Sequence, residues 1–188
     1  MPETILLGTG TTASTGYFFH APANTALPTD PTAALSSAWE KVGYITQDGI
    51  TFGLDRSTTD LKDWANKVRR TIMTDHNETV QAPIMETTEE TMKVIFGEDN
   101  VTVTAATTTA GKRVSVNLST SSLPDPEAFL FLMKDGDNVV MLGCKKGQVT
   151  ELGDVIMAPS DAITWTTTIK GLDDGWVLLT DDGTPTTI

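Results

Sequence analysis

Ala128-Phe129-Leu130-Phe131-Leu132-Met133, then Lys134-Asp135-Gly136-Asp137-Asn138, then Val139-Val140-Met141-Leu142-Gly143-Cys144, sets two short apolar runs on either side of a polar turn cluster. Runs of this length bounded by Asp, Gly and Asn have the form of strands, and the cluster supplies the residues that a tight chain reversal requires. The stretch predicts a β-hairpin. On its C-terminal side the same grammar continues: Ile163 to Ile169 and Trp176 to Thr180 are further strand candidates, punctuated by Lys146-Gly147-Gln148 and Asp173-Asp174-Gly175. Cys144, the single cysteine, closes the second apolar run and reads as a buried structural thiol with no partner for a disulfide.

On the N-terminal side, Val101 to Ala105 and Arg113 to Leu118 are two more strands. Before them stands one helix: Thr87-Thr88-Glu89-Glu90 matches a capping box, Met92, Ile95 and Phe96 recur at helical spacing, and Gly97 ends the run, predicting a helix over about 88–97. Further upstream, Val42 to Thr46 and Ile50 to Phe52 flank Gln47-Asp48-Gly49, which predicts another hairpin. Residues 55–67 are polar and charged around Trp64 and read as a long loop, followed by strands over 68–75 and 78–85 that meet at a turn, Asp75-His76-Asn77. Within residues 1–38, Gly16 to His20 is a strand candidate and Thr32 to Trp39 one or two helical turns; Pro22, Pro28 and Pro31 oppose longer elements. Many short strands with one helix predict a mainly β fold, a sandwich or barrel with one flanking helix and extended terminal arms. The expected organisation is an arm and first strand over 1–38, a core over 39–180 and a polar tail over 181–188.

Thirteen Lys and Arg stand against twenty-five Asp and Glu in 188 residues, a net charge of −12. That balance disfavours holding a phosphate backbone, because nucleic-acid binding draws its affinity from basic patches. Half of the excess lies beyond Gln148, where Lys170 faces seven acids. No basic-then-apolar leader and no apolar run of membrane-spanning length is present in the sequence, so the chain is expected in the cytoplasm when made, with no membrane partner. Three Asn-x-Ser/Thr triplets, at Asn77, Asn100 and Asn117, read as chance matches in a Thr-rich sequence.

No motif that carries catalysis survives its context. Gly8-Thr9-Gly10-Thr11-Thr12-Ala13 has the spacing of a dinucleotide fingerprint, yet Gly16, an aromatic run and Pro22 follow where a phosphate-binding helix belongs. Asp135-Gly136-Asp137 opens like a calcium loop, but Val140 stands where glycine is required and Lys146 where a bidentate glutamate is required. His76-Asn77-Glu78 has the H-x-E form of a zinc deaminase without the two further cysteines. With only His20 and His76, no nucleophile and base pair is advertised, and no two carboxylates are singled out. The chain is expected not to be an enzyme and to need no cofactor or metal.

Trp39-Glu40-Lys41-Val42-Gly43-Tyr44-Ile45-Thr46-Gln47-Asp48-Gly49-Ile50-Thr51, then Asp55-Arg56-Ser57, then Asp60-Leu61-Lys62-Asp63-Trp64, resembles the major tail tube proteins of long-tailed, non-contractile bacteriophages, most of all those of actinobacterial hosts. The likeness continues through Val68-Arg69-Arg70-Thr71, Ile84-Met85-Glu86-Thr87 and Phe96-Gly97. It implies a virion protein that forms rings of six, stacked into a hollow tube around a tape-measure protein, with tail terminator and baseplate or distal tail proteins at the ends and DNA as a passing cargo. It implies that the loop 55–67 reaches the next ring and that the terminal arms bridge subunits. In such subunits glycine often follows the loop tryptophan; here Ala65-Asn66 stands instead, which leaves the turn open.

Assembly-coupled ordering is the mechanism these readings favour, with residues 1–15, 55–67 and 181–188 becoming structured between copies. The candidate contact residues are Ile5, Leu6, Leu7, Asp55, Arg56, Lys62, Asp63, Trp64 and Lys67. Trp64 has two readings, an interface anchor or a residue folded back on its own core. Arg56, Lys62 and Asp63 read either as inter-ring ion pairs or as solvated charges. Two rival functions remain: the tube protein of a contractile injection or secretion system, and a monomeric adhesion or carbohydrate-binding β-sandwich.

Overall fold

The computed structural model describes residues 17–159 and 161–182, so Ile5, Leu6, Leu7, the glycine-rich segment at 8–13 and the tail beyond residue 182 lie outside the described residues. The opening hairpin forms as expected. Strands β7 (Glu127–Asp135) and β8 (Asn138–Leu152) pair antiparallel from Asp135 opposite Asn138, around a two-residue turn. Gly136 takes φ +62° at the first turn position, as a type II′ turn requires. The runs are continuously apolar because both faces are covered. Phe129 and Phe131 join a main core with Phe18, Leu142, Trp165 and Ile169, while Ala128, Leu130, Leu132 and Met141 join a second cluster beneath Trp39, Leu27 and Leu35.

Around this hairpin an eight-stranded sheet is built. Its remaining members are β1 (Tyr17–Pro22), β2 (Glu40–Tyr44), β3 (Thr51–Lys62), β4 (Val68–Ile84), β9 (Trp165–Gly171) and β10 (Trp176–Asp181). The order is β2-β1-β7-β8-β9-β4-β3, with β10 also paired to β8. β8 changes partners along its length: Val139 to Cys144 pair with β10 and Gly147 to Leu152 with β9. That change of partner bends the sheet over onto itself as a sandwich. Its two ends meet at one bridge, Ile45 to Ile84, supported by Met85 N–H donating to the Tyr44 carbonyl at 2.9 Å, and the sheet does not close into a barrel. β5 (Val101–Thr104) and β6 (Arg113–Val116) form a separate two-stranded sheet.

The helix α1 runs over Glu89–Phe96 with Thr88 as its N-cap, accepting from the Thr91 N–H. Its cap lies one residue later than a box made by Thr87 and Glu90 requires. Thr87 instead accepts a hydrogen bond from the Trp165 indole N–H at 2.9 Å, and Phe96 meets the Trp165 ring edge-on. Met92, Val94, Ile95 and Phe96 thus cover one end of the main core.

Four local expectations are corrected. Gln47-Asp48-Gly49 does turn the chain, but β2 pairs with β1 and β3 with β4, so the flanking runs do not pair with each other. Thr32 to Trp39 forms no helix: Asp30 accepts from the Thr32 N–H and hydroxyl, and isolated turns follow. Asp75-His76-Asn77 is no turn, because β4 runs unbroken for 17 residues. Lys146-Gly147-Gln148 lies inside β8, where a Cβ on Gly147 would sit 2.8 Å from the Phe129 ring, so the glycine marks a close approach.

Candidate assembly interface

β3 and β4 share one root in the core. Val80, Ala82 and Ile84 are buried, and β4 from Thr79 to Ile84 pairs with β9. Glu78 locks that root, accepting from the Trp176 N–H at 2.7 Å and lying 2.9 Å from the His76 Nε2. His76 and Glu78 therefore serve the root of a hairpin, and no metal ligand set forms around them among the described residues.

Beyond Leu54 the two strands leave the sheet as a free hairpin. Leu54 pairs with Glu78, Arg56 with His76, Ser57 with Asp75, Thr58 with Met73 and Lys62 with Val68. The register slips between Ser57 and Thr58, leaving Thr74 as an extra residue, a bulge just before the paired triplet Asp75-His76-Asn77. At ~3.3 Å per residue, Leu54 to Lys62 carries the tip roughly 30 Å from the root. Residues 55–67, expected as a loop, are thus a regular hairpin arm and its tip.

The tip is a closed turn from Asp63 to Lys67. The Asp63 N–H donates to the Lys67 carbonyl at 3.0 Å, and the Asp63 carboxylate accepts from the N–H groups of Ala65 and Lys67. Asn66 takes φ +59°, the left-handed conformation that asparagine tolerates best after glycine, so Ala65-Asn66 performs the reversal that a glycine would otherwise make. Arg69 pairs with Asp63 through its Nε at 2.7 Å. The Lys67 N–H, and after it the Arg69 side chain, hold the Asp63 carboxyl below its ordinary value. A depressed carboxyl stabilises the turn above the ordinary carboxylate range, and the effect is lost as pH falls through the lowered value. The amide resonances of Ala65 and Lys67 are expected to titrate with a midpoint below that of the same segment as a free peptide; identical midpoints would contradict the turn.

Side chains on both faces of the arm are open to solvent. Trp64 is fully exposed at its end, which removes the reading of a residue folded back on its own core. Leu54, Leu61, Val68, Ile72 and Met73 are exposed along its length. Asp55 and Arg56 lie mid-strand opposite Asn77 and His76, Lys62 lies at the last pair, and Asp63 and Lys67 form the turn. The apolar members Leu61, Val68, Ile72 and Met73 were not marked by the sequence, where 68–75 resembled a core strand. A two-stranded hairpin without a third strand or a covering layer is marginal in water, and so many exposed apolar groups ask for a partner.

A family model for phage tail tube proteins matches residues 8–179. The chain belongs to the phage tail tube protein family. No curated protein matches it. The phage tail tube protein is a structural component of the virion tail and assembles with itself and with other tail proteins.

Proposed function

We propose that this tail tube protein closes into rings of six, and that the rings stack into the tube through which DNA leaves the capsid. The folded core takes in β1, whose Phe18 is buried in it, together with residues 39–180, and the segments before β1 and after β10 serve as contacts between copies. A tape-measure protein fills the lumen during assembly, and tail terminator and baseplate or distal tail proteins bound the ends. The observation that carries this reading is the hairpin from Leu54 to His76, which holds a ladder, bulged in β4, with neither face covered and ends in an exposed tryptophan. Heterologous contacts of one copy with the next generate rings or open filaments, and a projecting arm is the natural donor of such a contact. The net charge of −12 suits a conduit that passes DNA without retaining it.

Sedimentation velocity of the purified full chain over a rising concentration series tests the reading. Fast-sedimenting tubular assemblies are expected above a critical concentration. A single slow species at every concentration, with tape-measure protein also present, would contradict it.

A further inference from the structure

A cleft of about 740 Å³ opens between the end of β1, the start of β2, the helix α1 with the turn after it, and the segment before β7. Its wall carries six carboxylates, Glu40, Glu90, Glu98, Asp99, Asp125 and Glu127, against one base, Lys93. That base is engaged already, 2.8 Å from Glu89 on its own helix. Apolar surface from Pro22, Ala23, Leu123, Pro124 and Pro126 lies between the charges.

One wall of the cleft gathers a histidine between two of these carboxylates. His20 Nδ1 lies 2.9 Å from a Glu127 carboxylate oxygen, which can only accept, so Nδ1 donates. Nε2 is buried without a hydrogen-bond partner, 3.9 Å from Glu90, whose other oxygen lies 3.7 Å from Lys93. A wall so rich in carboxylates favours a group that brings protons and positive charge together.

The tip of the arm has the opposite character. Residues 62–71 hold Lys62, Lys67, Arg69 and Arg70 against a single acid, Asp63, which Arg69 already pairs. Lys62, Lys67 and Arg70 form no ion pair among the described residues, and they lie within six residues of the exposed Trp64 in sequence. The arm belongs to the β3 end of the strand order, whereas β2, β1 and β7 of the cleft belong to the other end.

We propose that the acidic cleft is the socket for the arm tip of a second copy: Trp64 enters against the proline and leucine surface, and the basic side chains of the tip meet the cleft carboxylates. This rests on the self-assembly reading above and gives its arm a destination. Donor and socket are different surfaces of one molecule, so the contact is head-to-tail and repeats from copy to copy. Opposite charge on the two parts speeds encounter and fixes orientation, while the indole supplies the anchor.

Charge exchange in the full-length protein tests it. Glu98→Lys with Asp99→Lys alters exposed positions of the cleft rim, and Lys67→Glu with Arg70→Glu alters the tip. Either pair alone is expected to raise the critical concentration for assembly at least about tenfold, and the four together to recover most of that loss, because rim charges act through complementarity. Independently, an Ala65→Cys, Ser122→Cys chain, which keeps Trp64, is expected to give a ladder of disulfide-linked copies on mild oxidation after assembly. If the rim variant assembles like wild type, or assembled protein gives no ladder, the tip docks elsewhere: the socket is overturned and self-assembly stands. A wild-type chain that never leaves the monomer removes both.

Discussion

Trp64→Ala is expected to leave the monomer folded and to abolish tube formation at concentrations where wild type assembles. The indole sits at the end of an arm roughly 30 Å from the sheet and contributes nothing to either core cluster, so thermal stability of the monomer should stay within about 0.5 kcal/mol of wild type. Truncating a tryptophan at the centre of a contact costs about 2 kcal/mol or more, roughly thirtyfold in an association constant. Each subunit would donate one such contact and receive another, so the critical concentration should rise at least that far. Circular dichroism and sedimentation on the same sample separate the outcomes. Unfolding of the monomer, or unchanged assembly, would contradict the role given to Trp64.

Phe18→Ala should do the reverse, damaging the monomer first. Phe18 is fully buried in β1, stacked on Phe131 with ring centroids 4.5 Å apart and tilted against Phe129 at 5.7 Å. Removing a ring from such a site costs about 3–5 kcal/mol, through lost burial and the cavity left behind. A domain of this size commonly has about 5–15 kcal/mol in total, so roughly a fifth or more of its stability is at stake. Urea unfolding should show a lower midpoint with an unchanged slope. A loss below about 1 kcal/mol would mean that β1 is not part of the cooperative core.

What the sequence disclosed follows from which physical rules are local. The β7–β8 hairpin was legible because a polar turn of two central residues between strand-length apolar runs has few alternatives. So was α1, whose cap and stop lie within ten residues, from Thr88 to Gly97. Pairing partners were not legible. Asp48-Gly49 announces a reversal, but nothing local states that β2 turns to β1 while β3 turns to β4. Nor does a polar triplet such as Asp75-His76-Asn77 distinguish a turn from paired residues beside a bulge in a strand that no layer covers.

The interface divides in the same way. Trp64 and its charged neighbours stood out because a large aromatic in a polar stretch is unusual. Ile72 and Met73 did not, since an apolar strand is expected to be inside, and only the structure shows them outside. The cleft was invisible to sequence reading: His20, Glu40, Glu98 and Asp125 come from four separated segments that the fold gathers.

The central claim is that the hairpin from Leu54 to His76 finds its missing cover in another copy of the chain. Amide hydrogen exchange, measured residue by residue in dilute monomer and in assembled protein, addresses it directly. The account predicts rapid exchange along the arm in the monomer, particularly near the tip, and strong protection of the same amides after assembly. Arm amides equally protected in both states, or equally unprotected in both, would contradict it.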